Sequence, residues 1–348
     1  MYRFTEQTQS IVDLVGRLVD EYQMPLEQRV LRGEMLTRQD REPGVQAARK
    51  LGLWGLTAPA EHGGAALSMV DKCAVTETNH RCLVPIRWGG SALPPLYALQ
   101  GEQKRRYLDP IVDGTLHLCF AQTEPGGGGD PAGAINTHAR RTDRGWVING
   151  SKIWISSFAD ADLVFVFART EQGNRAGGLS MFAVAKDNPG MIAREVPMLG
   201  TFKTHQLTFA DCEVDDLALI GLEGSGFKSA QNALSLARID VGARALAISG
   251  RCIEMMIEHA KPRTVFGQAL SELQETQSTI VDSWVELQQT RLPVYATAEK
   301  ADRGEDTRVE AGMVKMACTE MAGRIIDRAI QLHGAAGCTY EHPLAHWY

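Results

Sequence analysis

The sequence predicts an α+β, mainly α protein in three consecutive parts: an N-terminal helical domain (1–115), a central β-sandwich or barrel domain (116–222) and a C-terminal helical bundle (223–348). Three observations carry this reading. Apolar residues recur at helical spacing towards both ends of the chain. From about residue 116 to 218 the period changes to two, and β-branched and aromatic residues take over. No helical pattern alternates with those strands, so a parallel Rossmann sheet is not expected. A length of 348 residues suits two or three domains.

In the first part, Ile11, Leu14, Val15, Leu18 and Tyr22 follow a helical period, with Asp13, Arg17 and Asp20 between them. Pro59 and a glycine pair break the pattern in GLTAPAEHGG, and Pro94, Pro95 and Gly101 punctuate a second helical cluster. In the second part, Asn149-Gly150 inside Trp146–Trp154 predicts a type I′ hairpin turn. Further strands are expected at Leu163–Arg169, Leu179–Ala185, Ile192–Val196 and Leu207–Phe209. In the third part, Ala230, Leu234, Ala237, Val241, Ala245, Ile248, Cys252 and Met255 mark one long helix. Ile280, Trp284 and Leu287 mark a second, and Met313, Met316, Met321 and Ile325 a third, read as core-facing stripes. Short connections between long amphipathic helices imply an antiparallel bundle. Pro293 should interrupt and kink the second of these helices.

Charge narrows the function classes. Lys plus Arg number 36 and Asp plus Glu 42, a net charge of −6, with no basic block of the kind a nucleic-acid binder carries. No apolar run approaches the roughly 18 residues of a membrane helix, and MYRFTEQTQS lacks the layout of a signal peptide. A cytoplasmic protein is expected, without nucleic-acid partners or membrane insertion. The seven cysteines are scattered without a CxxC pair, so reduced thiols packed as small apolar fillers are expected.

The most unusual segment is Phe120–Asp130, FAQTEPGGGGD. Four glycines after a strand leave backbone amides open to an anion such as a pyrophosphate. Gly127, Gly129 and Ala132 formally fit GxGxxA, but Pro131 and the strand-like INTHARR continuation do not supply the helix that a dinucleotide fold needs. Thr123, Trp154 and Ser156 lie in or beside neighbouring strands. There a tryptophan either fills a core or shields a flat aromatic cofactor. His342 and His346 are four apart beside Glu341, yet no third ligand accompanies them and no metal is expected. His333 before Gly334 reads as a helix-terminal histidine followed by a capping glycine. Arg238 stands in an apolar helical stripe and needs an anion, either an internal carboxylate or a ligand.

The stretches LGLWGLTAPAEHGG, FAQTEPGGGGD, GWVINGSKIWISS, GLEGSGF, ARIDVGARALA, RTVFGQALSELQ and QLHGAAG, in this order, resemble the acyl-CoA dehydrogenase family from about residue 10 to the end. The resemblance implies an N-terminal helical domain, a β-domain and a C-terminal four-helix bundle, with FAD as cofactor and a CoA thioester as substrate. It carries Phe120, Gln122, Thr123, Gly128, Gly129, Trp154 and Ser156 to flavin and phosphate contacts. Arg263, Phe266 and Gln274 fall on the FAD of a neighbouring subunit, with Gln331 and Gly334 at its adenosine portion. Arg238 matches the arginine near the bound thioester. A homodimer or homotetramer is implied, and an electron-transfer flavoprotein as electron acceptor. The expected reaction is α,β-dehydrogenation to a trans-2-enoyl-CoA. The alternatives are an acyl-CoA oxidase or flavin monooxygenase of the same fold, and a catalytically silent flavin-binding homologue.

Two departures from the family pattern concern chemistry. Gly129 stands where the family usually has a serine, which removes a hydroxyl contact. The family glutamate base is expected beyond Tyr348, so a truncated chain is the favoured expectation. At the alternative base position, directly before Arg238, the residue is Ala237, and the nearby Asp240 matches no family base.

Overall fold

The computed structural model describes residues 2–130, 133–170, 178–198 and 203–348, so Pro131 and Ala132 lie outside the described residues, as does the side chain of Ala230. In chain order the helices are α1 (Glu6–Leu18), α2 (Met24–Leu31), α3 (Arg38–Lys50), α4 (Met69–Asn79), α5 (Gly101–Gln103) and α6 (Asp109–Asp113). The strands β1 (Leu118–Ala121), β2 (His138–Thr142), β3 (Gly145–Ser156), β4 (Leu163–Arg169), β5 (Leu179–Ala185), β6 (Met191–Pro197), β7 (Lys203–Val214) and β8 (Leu219–Ile220) follow. The long helix α7 (Gly226–Ala260) comes next, then the short hairpin β9 (Thr264–Val265) and β10 (Gln268–Ala269). The chain closes with α8 (Gln274–Asp302), α9 (Arg308–His333) and α10 (Leu344–Trp347). Among the described residues no helix is long and apolar enough to cross a membrane.

The chain forms two compact units where the sequence suggests three parts. One holds residues 1–60, 65–88 and 235–348, and the other 61–64 and 89–234. In the first, Met69, Cys73 and Ala74 of α4 share one core with Ile239, Leu246, Tyr295, Val314 and Ile325 of α7, α8 and α9. The N-terminal helices thus contribute to the bundle core. α1 starts on a true cap, the Thr5 hydroxyl accepting the Thr8 N–H. α3 starts on a full capping box between Thr37 and Asp40.

In the second unit the strand order is β6-β7-β3-β2-β4-β5-β8, with β1 parallel to β4. Both faces of β4 are buried, and alternate residues serve different cores. Val164, Val166 and Ala168 join Trp146, Ile148 and Phe182, while Leu163, Phe165 and Phe167 join Leu96, Leu99, Tyr107 and Ile111. That second core explains why residues 89–115 go with the sheet rather than with the N-terminal helices. Gln103 also donates to the carbonyls of Leu217 and Leu219, and Arg106 pairs with Asp215.

Four expectations need correction. Asn149-Gly150 is not a turn, since β3 runs unbroken through it from Gly145 to Ser156. The hairpin turn is Asp143-Arg144, between the paired residues Thr142 and Gly145. Gly150 is required because a Cβ there would lie 2.6 Å from the Thr137 Cα, at a φ of +149°. Asn149 instead bonds a bulge in β7, its Oδ1 accepting the Asp211 N–H at 2.8 Å. Gly150→Ala should therefore lower stability by more than about 2 kcal/mol, overpacking and backbone strain acting together. Urea denaturation checks this, and an unchanged midpoint would refute it.

α8 is helical through Pro293, with the Thr297 hydroxyl donating to the Pro293 carbonyl at 2.7 Å. Of the methionine stripe only Met321, with Ile325, is buried; Met313 and Met316 are exposed, as is Trp284. Six cysteines are buried as expected, but Cys338 is exposed.

Candidate functional site

In the sheet unit the residues of FAQTEPGGGGD converge on β3. β1 delivers Phe120, which packs against Phe167 with ring centroids 4.6 Å apart. The chain leaves β1 at Gln122, and the Ile153 N–H holds the Thr123 carbonyl at 2.9 Å. Gln122 is 8% exposed, and its Nε2 has no hydrogen-bond partner among the described residues. A buried donor left open is costly unless a ligand accepts from it.

The glycines divide into two kinds. At Gly127 a Cβ would lie 2.0 Å from the Ala134 Cβ, so this glycine lets the loop close on itself. At Gly126, Gly128 and Gly129 a Cβ would meet nothing within 4 Å. Packing does not demand glycine there, which leaves the backbone open to a ligand.

Trp154 stands at a bulge. β3 slips by one residue against β7 between Lys152 and Ile155, and Trp154 takes a φ of +61°. A bulky residue in that region is strained, and bulges re-aim side chains. The indole ends up 51% exposed, a surface plate rather than a core filler. Ser156, two residues on, is exposed as well.

Sequence reasoning missed the groups that fix this arrangement. Lys152 is 0% exposed and donates to Glu124 Oε1 at 2.8 Å and to the Gln122 carbonyl at 3.1 Å. Glu124 also accepts the backbone N–H groups of Asn136 and Thr137, at 2.7 and 2.9 Å. Burial pushes the Lys152 ammonium down to about 8, against the pull of Glu124. For Glu124, burial pushes up, but Lys152 and the donated hydrogen bonds outweigh it and hold the carboxyl below its ordinary value. A signal was present: strand alternation from Trp146 and Ile148 through Gly150 reaches Lys152, a charge on an inward-facing position.

In the helical unit Arg238 is half-buried on α7, and no carboxylate pairs with it among the described residues. Asp240, two residues on and so on a different face of α7, is committed elsewhere. Its Oδ1 accepts from the Thr76 hydroxyl at 2.8 Å and faces Lys72 at 3.7 Å, and Oδ2 binds Arg244 at 2.6 Å. Burial raises the Asp240 carboxyl, but Lys72 and Arg244 hold it below its ordinary value, the state of a structural ion pair rather than a poised base.

Arg263 precedes the β9–β10 hairpin, whose two-residue turn is Phe266-Gly267 with φ of +51° and +81°. Both angles positive is the type I′ pattern that the sequence reading placed at Asn149-Gly150. Phe266, at the tip, is 97% exposed. Gln274 opens α8 and Gln331 lies in the last turn of α9, both exposed. Gly334 ends α9 at φ +64°. The His333 Nδ1 lies 2.7 Å from the Ala329 carbonyl, and the ring lies against His259 with centroids 4.3 Å apart and the planes tilted by 30°. The described residues contain no cluster of three or more side chains fit to hold a metal.

The sheet unit thus carries an exposed glycine loop, a buried amide donor without a partner and an exposed, strained tryptophan, the features of a candidate ligand site. Family models agree along the whole length: the acyl-CoA dehydrogenase N-terminal domain matches residues 5–115, the middle domain 119–212 and the C-terminal domain 224–348. This chain belongs to the acyl-CoA dehydrogenase family, whose members are FAD-dependent oxidoreductases. It is 34% identical to (R)-benzylsuccinyl-CoA dehydrogenase of Thauera aromatica over 98% of this chain and 89% of that protein. It is 32% identical to the mouse mitochondrial short-chain specific acyl-CoA dehydrogenase over 87% of this chain and 76% of that protein. Butyryl-CoA dehydrogenase of Megasphaera elsdenii shares the fold at a TM-score of 0.87 and 26% identity, covering 100% of this chain and 92% of that one.

Proposed function

We propose that this protein dehydrogenates an acyl-CoA thioester to the trans-2-enoyl-CoA and passes the electrons to an electron-transfer flavoprotein. The observation that carries the cofactor side is local: an orphaned buried donor on Gln122, open amides at Gly128 and Gly129, and the strained, exposed Trp154 all belong to the sheet unit. The donor set fits FAD. Gln122 and Thr123 offer polar contacts to the ring, the loop amides an anion cradle for phosphate, and Trp154 a flat cover against water. When bound, FAD supplies the acceptor for the hydride that leaves the substrate β-carbon. The α-proton goes to a carboxylate base; Ala237 cannot take it, and Asp240 is held by Thr76, Lys72 and Arg244. Arg238 anchors the thioester portion of CoA.

The test is anaerobic titration of the FAD-loaded protein with a panel of acyl-CoAs, short-chain and benzylsuccinyl thioesters included. Bleaching of the flavin band, with turnover by an artificial acceptor, is expected for one class. A fully loaded protein that no member bleaches would mean a silent flavin-binding homologue. Rapid reoxidation of the product-bound flavin by oxygen would mean an oxidase.

We also infer a homo-oligomer. Val281, Trp284, Val285 and Leu292 expose one face of α8, and Val309, Met313 and Met316 one face of α9. An apolar helix face of this extent is normally covered, and Phe266 with Arg263 and Gln274 would then reach a neighbouring subunit's cofactor. Light scattering should give a dimer or tetramer, and Trp284→Glu should lower that mass. A monomeric wild type would remove the inference.

A further inference from the structure

The loop between β1 and β2 is described at residues 122–130 and 133–137, and all four consecutive glycines lie in the first of these stretches. The neck of that loop is closed by a single carboxylate. On the outgoing side stands Glu124 itself, and on the returning side the Asn136 and Thr137 N–H groups donate to its two oxygens. Lys152 rises from β3 and binds both Glu124 and the carbonyl of Gln122. A second strand contact, from the Ile153 N–H to the Thr123 carbonyl, lies alongside. Inside the loop the Gly127 N–H donates back to the Glu124 carbonyl at 3.1 Å. A fully buried ion pair is costly to desolvate and contributes little net stability compared with apolar groups of the same size. Its geometric effect is specific, because the carbonyl held by Lys152 belongs to Gln122, whose side-chain donor stands open.

We propose that Lys152 and Glu124 are positioning residues, a clasp that holds Gln122 and the glycine-loop amides in their cofactor-binding places before the cofactor arrives. This rests on the FAD reading above. The clasp touches no reacting atom and acts through the loop it fixes. Preorganisation of this kind raises affinity by removing the ordering cost from the binding step.

The test uses the whole protein and the double variant Lys152→Met/Glu124→Gln, which nearly keeps side-chain volume, removes both charges and leaves one oxygen to accept from a backbone donor. FAD affinity is measured by flavin fluorescence quenching, and the visible spectrum of bound flavin is recorded. Hydrogen exchange of amides 123–129 is followed without cofactor. Expected for the double variant are a native far-UV spectrum, exchange in the loop that is faster, and an FAD dissociation constant raised at least about tenfold. The residual bound flavin should show a shifted visible band, which loss of stability elsewhere would not produce. A folded variant that binds FAD within about twofold of wild type would overturn the proposal. If wild type takes up no FAD, the cofactor reading fails; loop exchange in the apoprotein still decides the clasp, equal rates in both proteins counting against it. Lys152→Met alone, which leaves Glu124 to the Asn136 and Thr137 N–H groups, serves should the double variant not fold, with the same signs expected.

Discussion

Arg238→Ala is expected to weaken acyl-CoA binding by about ten- to a hundredfold while leaving FAD content and helix content unchanged. The size follows from a charge-assisted hydrogen bond worth about 1.5–3 kcal/mol. The expectation rests on comparison within one helix. α7 carries three arginines beyond its first turns. Arg244 binds Asp240 at 2.6 Å, and Arg251 reaches Glu27 at 3.9 Å. Arg238 alone among them has no carboxylate among the described residues, although it is half-buried. A guanidinium does not neutralise itself, so an arginine in that setting calls for an anion from outside. Asp240, two residues on, points to another face of the helix, where Thr76 and Lys72 hold it. Titration of the FAD-loaded variant with acyl-CoA, followed through the flavin spectrum, gives the affinity directly. Wild-type affinity in a folded Arg238→Ala protein would remove this residue from the substrate site. Lys in its place should restore only part of the loss, since an ammonium keeps the charge without the planar fork.

Much of the architecture was legible because it is written in local periods. The change to period two at 116 and the return to helical spacing near 226 lie close to the starts of β1 and α7. What the sequence hid is non-local. Leu96, Leu99 and Tyr107 look like any helical residues, and only their packing on Phe165 and Phe167 assigns them to the sheet unit. Asn149-Gly150 has the composition of a turn, but contact with Thr137 and a bulge at Asp211 demand the same two residue types in mid-strand. Met313 and Met316 repeat at helical spacing on an exposed face, because apolar periodicity alone does not tell a core from an apolar surface. The glycine loop and Trp154 were visible as unusual composition. Lys152 and Glu124, 28 residues apart, became a pair only once the strand pairing brought them together.

Glu124→Leu should be the most damaging single change in the sheet unit, costing about 3–5 kcal/mol near neutral pH, because the buried Lys152 loses the carboxylate that compensates its charge and must either stay unpaired or give up its proton. Its dependence on pH sets it apart from an ordinary packing defect. In the wild-type protein the Lys152 ammonium titrates at about 8, against an ordinary 10.5. Between those values the unfolded chain holds the extra proton, so the lysine's contribution to stability rises with pH across that window. Without Glu124 the native lysine titrates lower still, since the attraction that opposed burial is gone and desolvation acts alone. The relief on raising the pH therefore begins earlier in the variant, and the gap between variant and wild type narrows as the pH rises towards about 8, where the wild-type lysine begins to give up its own proton. On the acid side the wild type loses ground instead. The Glu124 carboxyl is held below its ordinary 4.5, so its contribution is complete above that pH and disappears as the pH falls through the lowered native value. The stability difference should accordingly pass through a maximum, smaller below the ordinary carboxylate value of 4.5 and smaller again by about pH 8. Chemical denaturation of both proteins from acid to mildly alkaline pH measures it. A difference that stays constant across the range would mean that the leucine substitution acts through lost packing alone, and that the Lys152 charge is not what the buried carboxylate compensates.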